Sequence, residues 1–226
     1  MDREFLLTVL TLPAAFDGEV ELLEGLLEAG LPKLHIRRPG APVEELLSRL
    51  AGRWASRLVL HGSVETARQY GIPQVHGKVR FRDGSGLSGG GPVVEFPGSV
   101  AGEQVAGGGR VAGGAGPFVG GRVAVSTSVH SWEEFALLPE GLAYAFISPL
   151  FDSISKPGYE ANPVLLCRPG GPLPCMPVAL GGVGGDSLPE LLRWGWEGAA
   201  VLGWIWDQPW EAVRRYEQLK KILNEY

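Results

Sequence analysis

Tyr144-Ala-Phe-Ile-Ser-Pro-Leu-Phe-Asp-Ser-Ile-Ser-Lys-Pro-Gly158 opens as an apolar strand, Tyr144 to Ile147, and breaks at Ser148-Pro149. Hydroxyls at Ser153 and Ser155 and an ammonium at Lys156 follow within a few residues. A strand running into a loop with two hydroxyls and a cation suits anion capture at the mouth of an α/β barrel. A plain solvated loop is the alternative, and the flanking chain decides between them.

Upstream, apolar strands alternate with amphipathic segments over short connections, as in a parallel sheet. Phe5–Leu12 reads as a strand stopped by Pro13, and Glu19–Ala29 as a helix burying Val20, Leu23, Leu26 and Leu27. Strand Leu34–Arg37 leads to helix Pro42–Trp54, strand Arg57–Leu60 to helix Val64–Tyr70, and Pro73–Val75 makes a fourth strand. Residues 84–121 then carry nearly half of the 34 glycines and no helical period. This stretch predicts an irregular replacement for the fourth helix, with a short strand at Val93–Phe96. Its Gly-x-Gly patterns lack the strand-and-helix context of a dinucleotide fingerprint.

Downstream, strand Val123–Ser126 precedes a capping box, with Ser131 as N-cap and Glu134 three residues on. Residues 160–176 are Pro-rich, so the sixth helix is short. Strand Pro177–Leu180 ends in Gly181-Gly182, and Asp186 or Ser187 caps a helix running to about Gly195. Strand Ala199–Leu202 ends at Gly203, and Trp210–Asn224 closes the chain as a helix. Eight strands and their helices predict one (βα)₈ TIM barrel domain over residues 1–226.

A net charge of −5 gives no reason to expect nucleic acid or an anionic membrane, so any anionic ligand is held by local groups. No apolar run approaches the roughly 20 residues of a membrane span. Met1-Asp-Arg-Glu4 shows neither a basic leader nor a cleavage site, and Cys167 and Cys175 form no disulfide or zinc pattern. A reducing cytoplasm is therefore the expected setting. Self-association is left open.

Chemistry in such a barrel belongs at the C-terminal strand ends. All four histidines, His35, His61, His76 and His130, lie there. His35 and Arg37, two apart, share a face and should enter the mouth together, where the guanidinium fork suits a phosphate; an internal carboxylate pair is the alternative. Gly181, Gly182 and Gly203, after strands seven and eight, form a second candidate anion site built from backbone N–H groups. His130, sharing a face with Ser128, is a candidate acid/base. No H-x-H or H-x-x-x-H spacing supports a metal site among the histidines.

These residues resemble the thiamine phosphate synthases and the related thiazole tautomerases, in a divergent form similar to Bacteroidetes-type members. The resemblance rests on Leu34-His-Ile-Arg-Arg-Pro39, Ser128-Val-His-Ser-Trp-Glu-Glu134, Ser148-Pro-Leu-Phe-Asp-Ser-Ile-Ser-Lys156, Ala179-Leu-Gly-Gly-Val183 and Gly198-Ala-Ala-Val-Leu-Gly203. It implies that hydroxymethylpyrimidine diphosphate loses pyrophosphate and that a thiazole phosphate nitrogen captures the resulting cation. Arg37 and Lys156 would then hold the diphosphate, and Ser128 would sit by the pyrimidine. Ser153, Ile154 and Ser155 would meet the thiazole, and Gly181, Gly182, Leu202 and Gly203 its phosphate. His35, Arg38 and His61 are assigned to substrate binding with them.

The resemblance also implies Mg²⁺, yet its carboxylate after strand three is replaced by His61-Gly62. Pro39 stands where a lysine is usual, and Asp83 is out of register with the second carboxylate. The tautomerase alternative needs no metal and uses His130; a non-catalytic phosphothiazole or thiamine phosphate binder is the third.

Overall fold

The computed structural model describes residues 4–81, 92–96, 104–106, 110–111, 123–152 and 161–226. Eight parallel strands close on themselves: β1 (Leu6–Leu10), β2 (Lys33–Ile36), β3 (Leu58–Leu60), β4 (Gln74–His76), β5 (Val123–Val129), β6 (Tyr144–Ile147), β7 (Met176–Leu180) and β8 (Gly198–Val201). Each pairs with the next, and β8 returns to β1 with Leu6 opposite Gly198 and Val9 opposite Val201. The (βα)₈ barrel expected from the sequence is the observed fold.

The helices cover the barrel because their apolar stripes have nowhere else to go. In α1 (Glu19–Glu28), Leu23, Leu26 and Leu27 are fully buried, and in α2 (Glu44–Trp54) Leu47 and Leu50 are. Each such leucine contributes about 1.5–3 kcal/mol by leaving water. The remaining helices are α3 (Val64–Gln69), α4 (Trp132–Ala136), α5 (Leu188–Arg193), α6 (Gly203–Trp206) and α7 (Ala212–Asn224). At the start of α4 the Ser131 hydroxyl accepts from Glu134 N–H at 3.1 Å, as the capping box requires. Ser187 does not cap α5 with its side chain; its hydroxyl accepts from Gly184 N–H and donates to Gly182 O.

One further detail agrees with the sequence reading and two depart from it. The Pro-rich stretch holds one 3₁₀ turn, Pro163–Leu166. The short helix α6, which the sequence did not announce, begins at Gly203. Within the Gly-rich stretch the expected strand is present as Val93–Glu95, and it is joined by unexpected ones: Lys78–Arg80, ahead of the stretch, and Gln104–Ala106 pair antiparallel with it, and Arg110–Val111 adds antiparallel to β5. Gly77 permits that sheet to cross the end of β4, since a Cβ there would lie 2.4 Å from Val94 Cγ1 and 2.8 Å from Glu95 O.

The barrel interior is divided. Leu10, Tyr144, Phe146, Val178 and Ala200, from β1 and β6–β8, form an apolar inner cluster. Strands β2 and β4 instead alternate polar with apolar residues, Lys33-Leu-His-Ile36 and Gln74-Val-His76, and β5 turns Ser126 and Ser128 toward His76. With period-two geometry, the polar set of these strands faces inward together. The inside of one half of the barrel is therefore lined with polar groups, the histidines among them.

Candidate functional site

A cavity of about 1020 Å³ opens at the C-terminal strand ends. Arg37, His61, His76, Ser128, His130, Gly181, Gly182, Leu202 and Gly203 all line it, joined by Lys78 and Trp204. Most of the sequence candidates therefore meet in one place. Ser153, Ile154, Ser155 and Lys156 lie outside the described residues.

Two candidates sit elsewhere in the arrangement. Arg38 reaches the cavity rim, but its guanidinium is spent on the Glu19 carboxylate and the Leu12 carbonyl, with both charged side chains at most 5% exposed. The internal carboxylate pair weighed for Arg37 thus belongs to its neighbour, because Arg38 points outward from β2 toward the start of α1. His35 does not reach the mouth alongside Arg37. It is fully buried one layer below, since residues two apart on a strand are separated along the barrel axis as well as sharing a face.

Arg37 itself is half-buried, and among the described residues no carboxylate pairs with it. Thr11 holds its backbone: Arg37 N–H donates to the Thr11 hydroxyl at 2.9 Å, and that hydroxyl donates to Arg37 O at 3.2 Å. A guanidinium fixed at its base, lining a cavity and without a carboxylate partner among the described residues has the chemistry to meet an anion.

Beneath it the three histidines of β2–β4 come together. His35 Nδ1 lies 2.8 Å from His61 Nε2, and the His61 and His76 rings stack with centroids 4.1 Å apart. Tyr144 OH meets His35 Nε2 at 2.7 Å, while Ser126 and Ser128 hold the two nitrogens of His76 at 3.0 and 2.9 Å. Phe146 packs against both buried rings, with centroids 4.8 Å from His35 and 5.0 Å from His76. Spacing along the chain gave no hint of this cluster. The available signal was that consecutive parallel strands each end in a histidine; register then sets His61 beside His76, following Leu60 opposite Val75.

Burial keeps these rings neutral. It lowers His76 to about 3, with the Arg37 guanidinium adding to the effect. Burial also holds His61 and His35 well below their usual value, helped by His76 in both cases. In the unfolded chain the imidazoles regain their ordinary affinity for protons, near 6.5. Between about pH 6.5 and 3 the unfolded state therefore binds more protons, and stability falls as pH drops through that window. The slope is at most about 1.4 kcal/mol per pH unit for each histidine. Urea midpoints of chelator-treated protein should fall from pH 7.5 to 5, and the fall should be shallower for His76→Gln.

Across the cavity, Gly181 and Gly182 take positive φ of 95° and 64°. A Cβ on Gly182 would lie 2.4 Å from Asp152 O, so the β6 loop by itself demands glycine there. His130 is exposed; its Nδ1 is 3.0 Å from Ser148 O and its N–H donates to Glu134 Oε2 at 2.7 Å. Donation from Nδ1 to that carbonyl leaves Nε2 as the free base.

Among the described lining residues Glu134 is the one carboxylate, and it is engaged by His130 N–H. Magnesium demands oxygen ligands, and the donors gathered at the floor are imidazole nitrogens, so the described residues do not fit it; Asp83 lies outside them. No helix among the described residues is long and apolar enough to cross a membrane.

The architecture is that of a (βα)₈ barrel, and solved structures share it. Two of the similar solved structures are thiamine phosphate pyrophosphorylases. The one from Bacteroides thetaiotaomicron shares 23% identity at TM-score 0.60, covering 98% of each chain. The one from Pyrococcus furiosus shares 19% at TM-score 0.64, covering 98% of this chain and 96% of that one. The chain thus has a thiamine phosphate synthase-like fold. A geranylgeranylglyceryl phosphate synthase from Thermoplasma acidophilum, in complex with sn-glycerol-1-phosphate, is similar at 9% identity and TM-score 0.57, covering 100% of this chain and 95% of that one. No protein-family model matches the chain, and no curated protein matches it.

Proposed function

We propose that the chain is a thiamine phosphate synthase, joining hydroxymethylpyrimidine diphosphate to thiazole phosphate with release of pyrophosphate. The carrying observation is Arg37, a half-buried guanidinium aimed into the cavity with no counter-ion among the described residues. The fold likeness to two thiamine phosphate pyrophosphorylases supports the choice of substrates.

In this reading the carbinyl C–O bond breaks and pyrophosphate leaves with the electron pair, its growing charge met by Arg37. The thiazole nitrogen lone pair then forms the new C–N bond. The apolar inner wall of Leu10, Phe146 and Ala200 keeps water from the cation before capture. Gly182 and Gly203 offer main chain to the thiazole phosphate on the opposite wall.

A second reading, thiazole phosphate tautomerase, is favoured by His130 alone, whose fixed tautomer presents Nε2 as a base. One assay separates the two. Incubation with both phosphorylated halves, with and without Mg²⁺, should yield thiamine phosphate and pyrophosphate in equal amounts. Absence of both products under either condition contradicts the synthase reading. Aromatisation of the thiazole phosphate that vanishes in His130→Ala would establish the tautomerase, and binding without any turnover the non-catalytic binder.

A further inference from the structure

We propose that His35, His61 and His76 form a binding site for a zinc-like divalent transition ion, open on its cavity side. The three rings come from consecutive strands, and one ligand nitrogen from each can be chosen so that all lie within 4.8 Å of one another. His35 Nδ1 and His61 Nε2, at 2.8 Å, now share a single proton. A tetrahedral ion with bonds of about 2.0–2.1 Å holds its nitrogens about 3.3 Å apart. Replacing the shared proton by the ion requires the two rings to separate by only about half an ångström on that geometry.

The surroundings are those of a ligand set. Tyr144 OH, 2.7 Å from His35 Nε2, can accept from Nε2–H, the tautomer in which Nδ1 is a ligand for the ion. Each His76 nitrogen has its own serine, so one can turn to the ion while the other stays anchored. An all-imidazole set selects zinc, cobalt, nickel or copper over magnesium and calcium. His61, the residue that occupies the expected magnesium-carboxylate position, is one of the three.

The site is closed on one side only. His35 is fully buried, whereas His61 and His76 line the cavity beside Arg37. Three protein ligands with an open fourth position are the pattern of reactive rather than purely structural zinc sites. The Arg37 guanidinium opposes a bare dication, so the fourth ligand is an anion, hydroxide or a phosphate oxygen, that both charges attract. Ion binding and phosphate binding therefore strengthen one another. This inference does not depend on the synthase reading, because it concerns binding measured without the two substrates.

The test uses the untagged, chelator-treated full chain in reducing buffer, titrated with zinc by calorimetry and with cobalt by visible absorption. One ion per chain and the intense bands of tetrahedral cobalt are expected. His61→Gln and His76→Gln should each weaken binding by at least about 100-fold, beyond the usual cost of losing an outer partner. Thermal unfolding confirms that both variants are folded, and His61→Gln, at the cavity surface, serves if the deeper change does not fold. His130→Gln and the Cys167→Ser/Cys175→Ser pair should bind as the unaltered chain does. Inorganic phosphate should tighten zinc binding at least about tenfold, and Arg37→Ala should remove that gain. No stoichiometric binding, binding undiminished in folded His61→Gln, or loss on changing His130 or the cysteines would overturn the site. Absence of phosphate coupling would overturn its open fourth position.

Discussion

Arg37→Ala is expected to weaken pyrophosphate binding by about 10- to 100-fold while leaving stability within about 0.5 kcal/mol. A hydrogen bond to a charged group contributes about 1.5–3 kcal/mol net, and each 1.4 kcal/mol is tenfold in affinity. The stability expectation follows from the absence of any carboxylate partner for Arg37 among the described residues, so its removal strands no other charge. A second readout accompanies the first. The Arg37 charge lowers His76 and His61, so both rings should titrate at higher pH in the variant. Calorimetry with pyrophosphate and histidine NMR test the two effects; unchanged affinity would remove Arg37 from the anion site.

Its neighbour should behave in the opposite way. Arg38→Ala or Glu19→Ala is expected to cost about 3–5 kcal/mol of stability, because each leaves one buried charge without its partner. Changing both, as Arg38→Met with Glu19→Leu, should cost little, since no charge is then stranded. The exposed pairs Arg49–Glu21 and Arg53–Glu28, each more than half exposed, should contribute at most about 1 kcal/mol. Where Arg38 variants stay folded, pyrophosphate affinity should be retained. Urea denaturation of the single and double variants tests this, and a double variant as unstable as the singles would contradict the account. Two adjacent arginines are thus held differently: Arg38 ties the end of β2 to α1, and Arg37 lines the cavity without a carboxylate partner among the described residues.

That difference was half legible in the sequence. Period-two alternation placed Arg37 on the inner face with His35, and the pattern in Lys33-Leu-His-Ile36 and Gln74-Val-His76 marks the polar half of the interior. What alternation does not give is depth along the barrel axis, so His35 was expected at the mouth and lies below it. Nor does it name a partner on another element. Glu19 opens a helix whose periodicity reports its leucines, not the arginine its carboxylate will meet. The histidine cluster escaped for a related reason: ligand spacings describe one element, whereas His35 and His61 are 26 residues apart and joined by strand pairing.

In residues 84–121 the apolar Val93–Phe96 was legible as a strand, whereas glycine density hid Gln104–Ala106, which is too short for alternation to register. At Gly181 and Gly182 the residue type invited a phosphate, yet the Pro149–Asp152 loop packs so closely that a side chain has no room. The phosphate reading of that corner therefore rests on its position in the cavity wall rather than on glycine itself.

Diffraction from crystals soaked with thiamine phosphate and pyrophosphate tests the central claim most directly. The pyrophosphate should lie within hydrogen-bond distance of the Arg37 guanidinium, with the thiamine phosphate group against the main chain of Gly182 and Gly203. Density for both elsewhere, with the Arg37 fork closed onto a carboxylate of its own chain, would contradict the account.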